Sequence, residues 1–210
     1  MEFDRDRPVE SFDFVSVDTE LTGFNHHKDE IVSIGAVRIR NMQIVIGDNF
    51  FSYVRPARSI PKDSTLVHRI TTDQIKTAPP LREVLPEFVD FCGDALLIGH
   101  YVALDMAFLN KACRAHLGAR MANPCFDSMR LAYAYQEVQR RSYYNQFETR
   151  TSYNLTELSK QYHLPLFAKH DALEDALQTA YLFLFLVKRL QAAGCVTLRD
   201  FDIVGRGSPF

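Results

Sequence analysis

The sequence lacks an apolar run long enough to cross a bilayer. Its longest one, around Tyr181 to Val187, falls far short of the ~20 residues that a spanning helix needs. The segment Met1 to Glu10 has no apolar stretch either, so we expect neither a signal peptide nor a membrane anchor. These absences predict that the protein has no membrane partner.

Cysteine is scarce, and no C-x-x-C pair is present. The four cysteines, Cys92, Cys113, Cys125 and Cys195, lie far apart in the chain. This spacing argues against a zinc site or a disulfide framework. Free structural thiols in a reducing compartment are the simpler interpretation, so we predict a cytoplasmic protein.

A net basic charge is also missing. The 24 Lys and Arg residues and the 26 Asp and Glu residues give a formal charge of −2. Dedicated duplex-binding modules usually carry a clear basic excess, so the chain is not expected to be one. An enzyme that binds a short single strand is not excluded, because the negative charge of a cluster of catalytic acids would offset a small number of basic residues in the net charge.

The composition that remains is that of one globular domain, with 47% hydrophobic and 24% charged residues. A chain of this length buries roughly 70% of the surface of its unfolded form, so it needs no disulfide or structural metal for stability. We expect an N-terminal extension over residues 1–10, one domain over 11–193 and a short C-terminal tail over 194–210.

Strand patterns dominate the first half of the chain. Phe12 to Asp18 is apolar and β-branched enough for a central strand that is covered on both faces. Ile31 to Arg40 and Gln43 to Val54 are separated by the link Asn41-Met42, which predicts an antiparallel hairpin. Ala95 to Gly99 is short and apolar, as a buried fourth strand would be.

The rest of the chain is mostly helical in pattern, and Gly93, Gly118 and Gly194 supply stop signals for three of the helices. The helical patterns cover Leu81 to Cys92, Val102 to Leu117, Phe126 to Val138, Asn154 to Tyr162 and Asp171 to Ala193. Gln139 to Ser152 is polar and rich in Arg and Tyr, and it is predicted to be a mobile loop. Strands followed by helices predict an α/β fold, a mixed sheet flanked by helices around one core, in which the first three strands are antiparallel.

Two carboxylates stand at the end of the first strand, in the segment D-T-E-L-T-G over residues 18–23. Side chains alternate across a strand, so Asp18 and Glu20 point to the same side. A divalent cation such as Mg²⁺ or Mn²⁺, which prefers hard oxygen ligands, would resolve the repulsion between them. On the pair alone, a frayed strand end with two solvated acids is an equally good interpretation.

Asp105 is an acid within an apolar stretch just after the fourth strand. Phe108 and Leu109 share its helical face. An unpaired acid there would be costly, so Asp105 needs a partner. A salt bridge, a helix cap and a bound metal are the alternatives.

A third acidic segment, H-D-A-L-E-D-A over residues 170–176, opens the last long helix. Asp171 and Glu174 fit a capping box, so the helix should begin at Asp171. Asp175 then lies in the first turns, while His170 stays on the preceding loop. An acid on a helix can hold a metal, and a mobile imidazole beside it can take a proton near neutral pH. Alternatively, the acids merely complement the helix dipole.

Together and in this order, the three segments resemble the motifs of the DEDDh family of 3′–5′ exonucleases. This DnaQ-like group includes the proofreading subunits of bacterial replicative polymerases. The family's first motif, D-x-E-x-T-G, matches Asp18, Glu20, Thr22 and Gly23. Its second motif, G-H-N-x-x-F-D-x-x-F-L, matches Gly99-His100, Asp105 and Phe108-Leu109. Its third motif, H-x-A-x-x-D-A, matches His170, Ala172, Asp175 and Ala176. Val67 to Thr71 resembles the family's H-G-I-T segment, and the resemblance covers about residues 11 to 190.

The resemblance implies an RNase H-like fold and phosphodiester hydrolysis with two metal ions. Four carboxylates would hold two Mg²⁺ ions, for which Mn²⁺ can substitute: Asp18, Glu20, Asp105 and Asp175. His170 would be the general base that takes a proton from water. The expected enzyme is a metal-dependent exonuclease that removes nucleoside monophosphates from single-stranded 3′ ends.

The resemblance also implies a cradle for the terminal nucleotide. Its residues would be Leu21, Thr22, Gly23 and Phe24, with His68 and Tyr101 nearby. The aromatic ring of Phe24 could stack on a base, although a place in the hydrophobic core is the alternative.

Three residues depart from the family pattern. Tyr101 replaces the usual Asn, Leu104 the usual Phe and Arg69 the usual Gly. None of them is an implied metal ligand, so catalysis should survive. The departures leave substrate preference open.

DNA is the expected substrate, and an exoribonuclease of the same family is the alternative. A non-catalytic scaffold ranks lower, because all four acids and His170 are present. A polymerase-bound proofreading subunit is a further alternative. Gln161 to Phe167 superficially resembles a sliding-clamp peptide, but it stands where the family needs a helix-to-loop connection, so clamp binding is not expected.

Overall fold

The computed structural model describes residues 3–142, 152–168 and 170–206. Its strands are β1 (Phe14–Leu21), β2 (Ile31–Arg40), β3 (Gln43–Tyr53), β4 (Leu96–Gly99) and β5 (Cys125–Asp127). Its α-helices are α1 (Lys62–His68), α2 (Thr72–Ile75), α3 (Leu81–Cys92), α4 (Ala103–Leu117), α5 (Ser128–Ser142), α6 (Leu155–Gln161), α7 (Ala172–Ala192) and α8 (Leu198–Arg206).

The strands form one mixed sheet in the order β3-β2-β1-β4-β5. β2 pairs antiparallel with both β1 and β3, while β4 runs parallel to β1, and β5 parallel to β4. This topology confirms the predicted mixed sheet with three antiparallel strands first. It also places β1 at the centre of the sheet, so the carboxylates of Asp18 and Glu20 lie on the central strand.

The sheet divides the buried side chains into two main clusters, one on each face, where the sequence predicted one core. Alternation along β1 explains the division. Phe14 packs against Phe183 of α7, with ring centroids 4.9 Å apart, whereas Val15 and Val17 pack with the residues of α3 and α4 on the other face. β1 is therefore covered on both sides, as its apolar composition predicted.

The hairpin between β2 and β3 turns at the predicted link. Asn41 has φ 50° and Met42 has φ 56°. Two central residues with positive φ define a type I′ turn, whose twist matches that of the flanking strands. The two-residue loop thus fixes the pairing of β3 with β2 next to the turn, and the register shifts farther along, between Val37 and Ile39.

Two predicted boundaries are wrong. β1 runs from Phe14 to Leu21 rather than from Phe12 to Asp18, so both motif acids lie inside the strand. The helix predicted from Phe126 begins only at Ser128, because Cys125–Asp127 forms β5 beside β4. A three-residue strand is too short to show a periodicity of its own.

The predicted loop over 139–152 is helical at its start. Residues 139–142 continue α5 to Ser142. Helix propensity explains this, since Gln and Arg are good helix formers. Residues 143–151 lie outside the described part of the chain.

The two ends of the described chain pack together on the domain. Pro8 forms a β-bridge with Thr197, and the Val9 amide donates to the Val196 carbonyl at 3.0 Å. Leu198 and Phe201 of α8 are buried in the cluster that surrounds α7. The boundaries at 11 and 193 stay predictions, and these contacts tie both flanking segments to the domain between them.

No helix within the described ranges combines the length and apolarity that a bilayer span requires. The four cysteines are free thiols, as their spacing predicted. The cytoplasmic location stays a prediction.

Two of the three departures from the family pattern occupy left-handed backbone. Arg69 ends α1 with φ 57°, and Tyr101 follows β4 with φ 57°. Glycine and asparagine, the residues that the family motifs carry there, are the ones that adopt this conformation most readily. The two substitutions therefore carry backbone strain that the family pattern avoids.

Arg69→Gly should consequently stabilise the protein by about 1 kcal/mol, because it relieves the left-handed strain at the end of α1. For a domain of this size, the melting temperature should rise by roughly 2–4 °C. Thermal unfolding of wild type and variant measures the difference. Arg58→Gly, at an exposed residue without positive φ, is the control, and an equal rise in both variants would contradict this explanation.

Candidate active site

The candidate site lies where the end of β1 meets the first turn of α7. The Ser16 hydroxyl donates to the carbonyl of Ala176 at 2.8 Å, which ties the two elements together. Asp18 and Glu20 follow at two-residue intervals, so they lie on the same α7-facing side of the strand. The alternation predicted from the sequence thus turns both carboxylates towards α7.

Gly35 allows this approach, and the sequence reasoning missed it. It pairs with Asp18 across β1 and β2. A Cβ atom at Gly35 would lie only 2.2 Å from the backbone of Ala172 and Leu173. A glycine inside an apolar strand was the available signal, since it often marks a close approach of another backbone.

The start of α7 is held by hydrogen bonds that its own acids accept. Asp171 is the N-cap, and its Oδ1 accepts from the amides of Leu173 at 3.0 Å and Glu174 at 3.2 Å. The Glu174 carboxylate accepts from the Ala168 amide, so it does not complete the predicted capping box. The helix nevertheless begins where the sequence predicted, and Asp171 serves it as a cap.

Asp175 and His170 are held together at this helix end. The backbone amide of His170 donates to Asp175 Oδ2 at 2.8 Å, and His170 adopts left-handed backbone with φ 62°. Ligand atoms of Glu20, His170 and Asp175 all lie within 4.8 Å of one another. Residues 150 positions apart in the sequence therefore form one cluster, with the His170 side chain on its exposed side.

Asp105 lies beneath this cluster, in the first turn of α4, and is only 6% exposed. Its Oδ1 accepts from the Thr19 amide at 3.0 Å and from the Thr19 hydroxyl at 2.5 Å. Thr19 is thus a partner that the sequence reasoning did not identify. These two bonds fix Asp105 against the strand that carries Asp18 and Glu20.

The pKa values of all four acids are raised. Burial is the main cause for each: it raises the pKa of Glu20 to about 8 and that of Asp105 to about 6. The pKa of Asp18 lies well above its usual range, because burial and the charges of Asp105, Asp175 and Glu20 act together. The pKa of Asp175 is also raised by burial, against the opposing hydrogen bond from His170. Such a cluster is costly in its charged form.

The cluster opens into a groove of about 590 Å³. Five carboxylates line it, those of Asp18, Glu20, Asp29, Asp63 and Asp175, and its described lining residues include no lysine or arginine. A phosphodiester would meet only like charge there. The oxygen donors instead match the ligands that Mg²⁺ prefers.

The segment after β1 forms one wall of this groove. Thr22 is held on both sides: its amide donates to the Glu30 carbonyl, and its hydroxyl accepts from the Glu30 amide, each at 2.9 Å. A Cβ atom at Gly23 would lie 2.5 Å from Asp29 Oδ2. Leu21 is half-buried in this wall, whereas the Phe24 side chain is 84% exposed, which rules out its core interpretation.

His68 closes the groove on the side of α1. It is 4% exposed, and its Nδ1 accepts from the Ile70 amide at 3.0 Å. This bond places the proton of the neutral ring on Nε2. Burial lowers the pKa of His68, and the nearby His170 lowers it further. His68 therefore keeps a donor, Nε2–H, that no described residue accepts.

Tyr101 does not line the groove, although the sequence grouped it with the substrate-binding residues. Its amide donates to Asp127 Oδ1 at 3.1 Å, and its side chain is 49% exposed. Leu104, the other departure in this motif, does line the groove. Asp29, Pro61, Asp63 and Ser64 line it as well, and no sequence pattern distinguished them.

Comparison with known proteins finds relatives over most of the chain. Residues 15–183 match the family model RNase_T, described as exonuclease. The chain is 32% identical over 193 residues to a DNA polymerase III PolC-type protein of Caldanaerobacter subterraneus subsp. tengcongensis, covering 91% of the chain and 13% of that protein. It is 35% identical over 192 residues to a DNA polymerase III subunit epsilon-like protein of Rhodobacter capsulatus, covering 90% of the chain and 26% of that protein. The chain thus spans 13% and 26% of the lengths of these two relatives.

Solved structures share the fold. Exonuclease X in complex with 5′ overhanging duplex DNA has a TM-score of 0.66 at 24% identity, covering 91% of this chain and 99% of that one. E. coli Exonuclease I in complex with a dA16 oligonucleotide has a TM-score of 0.74 at 17% identity, covering 91% and 42%. These likenesses confirm the predicted RNase H-like architecture.

Proposed function

Because the chain belongs to the exonuclease family whose model spans residues 15–183, we propose that it removes nucleoside monophosphates from single-stranded 3′ ends of DNA. The observation that carries this proposal is the acidic groove. Its described lining combines five carboxylates and two histidines, and it includes no lysine or arginine side chain. Such a groove can bind a phosphodiester only together with divalent cations, as in metal-dependent nucleases.

Asp18, Glu20, Asp105 and Asp175 are the proposed ligands of two Mg²⁺ ions. Their chemistry fits the ions, since they are hard oxygen donors whose pKa values are raised mainly by burial. Bound metal would lower the pKa of a water molecule and stabilise the departing 3′-oxygen. The role of Thr19 is to orient Asp105 for this task.

His170 is the proposed general base. Its backbone is fixed by Asp175, while its exposed side chain borders the carboxylate cluster. A base must lie within reach of the water whose proton it takes. The position beside Glu20 and Asp175 supports that role.

The wall of the groove is the proposed cradle for the 3′-terminal nucleotide. Leu21, Thr22 and Gly23 supply a rigid floor, and the His68 ring lies beside it. The exposed ring of Phe24 is placed to stack on a base, which is worth ~1–3 kcal/mol and tolerates any sequence. A blunt duplex should resist, because its terminal pair must first be separated.

DNA is proposed as the substrate because the relatives reported above are named as DNA polymerase III proteins. A polymerase is accordingly the proposed protein partner. A scaffold without catalysis is disfavoured, since the structure groups the acids and His170 at one site. Gln161 to Phe167, the segment that superficially resembles a sliding-clamp peptide, begins at the last residue of α6 and leads towards α7. No clamp contact is therefore proposed.

Matched DNA and RNA oligonucleotides, labelled at either end, test the proposal in Mg²⁺, Mn²⁺ and chelator. We expect a 3′ label to appear in mononucleotide at once and a 5′ label to move down a ladder of shortening products. Both metals should support the reaction, and chelator should stop it. A 5′-labelled mononucleotide as first product would contradict the polarity, and faster loss of RNA would contradict the choice of DNA.

A further inference from the structure

A second pocket, which we call the outer pocket, lies behind the two histidines of the catalytic groove. It has a volume of about 210 Å³, and His68 and His170 line both cavities. Ser33 pairs with Glu20 on one side and with Tyr53 on the other. Directly paired residues project from the same face of a sheet, so the row Glu20, Ser33, Tyr53 leads from the groove into the outer pocket.

Two buried hydrogen-bonding groups in the outer pocket lack a partner. The Ser33 hydroxyl and His68 Nε2 accept or donate no hydrogen bond among the described residues, although their side chains are 1% and 4% exposed. His68 Nδ1 already accepts from Ile70, so Nε2 carries a proton to donate. Burying such groups unpaired is costly, and native pockets with orphaned polar groups of this kind are typically completed by a ligand or water.

The remaining lining is aromatic on one side and cationic on the other. The rings of Phe51 and Tyr53 meet edge to face at 5.0 Å, and Phe51 is 38% exposed. Arg69 is exposed, and no described carboxylate lies within ion-pair distance of it. The one acid of the lining, Asp171, already accepts two bonds from α7. An aromatic ring with acceptor atoms and an attached anion would satisfy all of these groups.

We propose that the outer pocket binds a free nucleoside 5′-monophosphate. Its base packs against Phe51 and Tyr53 with acceptor atoms towards Ser33 and His68, and its phosphate pairs with Arg69. As a site for product, the pocket rests on the proposed function, because that reaction releases such nucleotides beside His68 and His170. Bound product there would lie outside the metal cluster and would slow the enzyme without competing for metal.

Calorimetric titration of thymidine monophosphate into protein kept in chelator tests the proposal. Without metal the acidic groove repels phosphate, so binding under these conditions reports on the outer pocket. Arg69→Gly should weaken binding by about tenfold or more, since it removes a charge-assisted contact. Ser33→Ala should weaken it by roughly threefold to tenfold. Neither variant should destabilise the free protein, because the first relieves left-handed backbone and the second removes an unpaired hydroxyl.

Matched controls exist elsewhere in the chain. Ser159→Ala removes another buried, unpartnered hydroxyl, and His163→Gly relaxes another left-handed residue, with φ 54°. Both should bind the nucleotide as the wild type does. Inorganic phosphate carries only the anion, and thymidine carries only the base and sugar. Each should bind at least tenfold more weakly than thymidine monophosphate.

Three results would overturn the proposal: no binding without metal, equal losses in the control variants, or phosphate alone binding as tightly as the nucleotide. The oligonucleotide assay separates this failure from that of the proposed function. Nucleotide binding that depends on Arg69 and Ser33 supports the pocket even if the wild type degrades no oligonucleotide. Degradation without metal-free nucleotide binding overturns only the pocket.

Discussion

Asp18→Asn should abolish hydrolysis while making the metal-free protein more stable. The substitution removes a proposed metal ligand of nearly identical shape, and losing several kcal/mol of metal assistance lowers the rate by ~10³-fold or more. It also removes a carboxyl whose own pKa is raised by burial and by the charges of Asp105, Asp175 and Glu20. Relief of about one pKa unit corresponds to ~1.4 kcal/mol, or roughly 3–6 °C in melting temperature.

The pH dependence of stability follows from the same charges. The pKa of Glu20 is raised to about 8 and that of Asp105 to about 6. A carboxyl with a raised pKa in the folded state stabilises the fold at low pH, and this contribution is lost as the pH rises through the folded-state value. The melting temperature of the metal-free wild type should therefore fall between about pH 4.5 and pH 8, and that of Asp18→Asn should fall less.

Melting curves at pH 5 and pH 8, each with chelator and with Mg²⁺, measure both effects alongside the nuclease rate. Mg²⁺ should restore the wild type at pH 8 and have little effect on Asp18→Asn. Asp94→Asn, at an exposed acid between α3 and β4, is the matched control and should behave as wild type. A variant that retains a normal rate in Mg²⁺ would remove Asp18 from the metal site.

The residues of the site were more predictable from the sequence than the contacts that position them. The motifs predicted an exonuclease family, which the family match over residues 15–183 confirms, and alternation along one strand placed Asp18 and Glu20 on one side. Thr19 as the partner of Asp105 was not predictable, because a hydrogen bond between residues 86 positions apart leaves no local pattern. Gly35 was a weak signal, because a glycine within a strand does not show which element packs against it; the structure shows that this element is α7.

The fold shows the same division between strong and weak local signals. The long elements, such as β2 and α7, carry clear periodicity and capping, and their predicted positions are confirmed to within a residue. β5 has three residues and is defined by its parallel pairing with β4, which no local pattern encodes. Arg69 and Tyr101 appeared as mere departures in sequence, and only their positive φ values show that they carry backbone strain.

His170→Asn should lower the rate by roughly 10²–10⁴-fold, the usual contribution of a positioned base. Asparagine suits the test because it tolerates the left-handed backbone of His170 and has no basic nitrogen. The fold should therefore be retained. The pH–rate profile of the variant should differ in shape from that of the wild type, because the variant has no imidazole to take the proton.

Metal affinity distinguishes a base from a ligand. The His170 ring lies within 4.8 Å of the ligand atoms of Glu20 and Asp175, so a direct bond to metal is the competing role. If His170 is the base, Mg²⁺ should bind the variant as tightly as the wild type, because the four carboxylates are unchanged. A large loss of Mg²⁺ affinity would instead identify His170 as a ligand.

A pH–rate profile, a Mg²⁺ titration and a melting curve for each protein complete the experiment. His163→Asn is the matched control, since His163 is also exposed and left-handed but lies outside the groove lining. It should leave all three measurements unchanged. At high pH, hydroxide can replace the missing base, so His170→Asn should recover part of its rate there. An unchanged profile with a lowered melting temperature would show that His170 only closes the loop before α7.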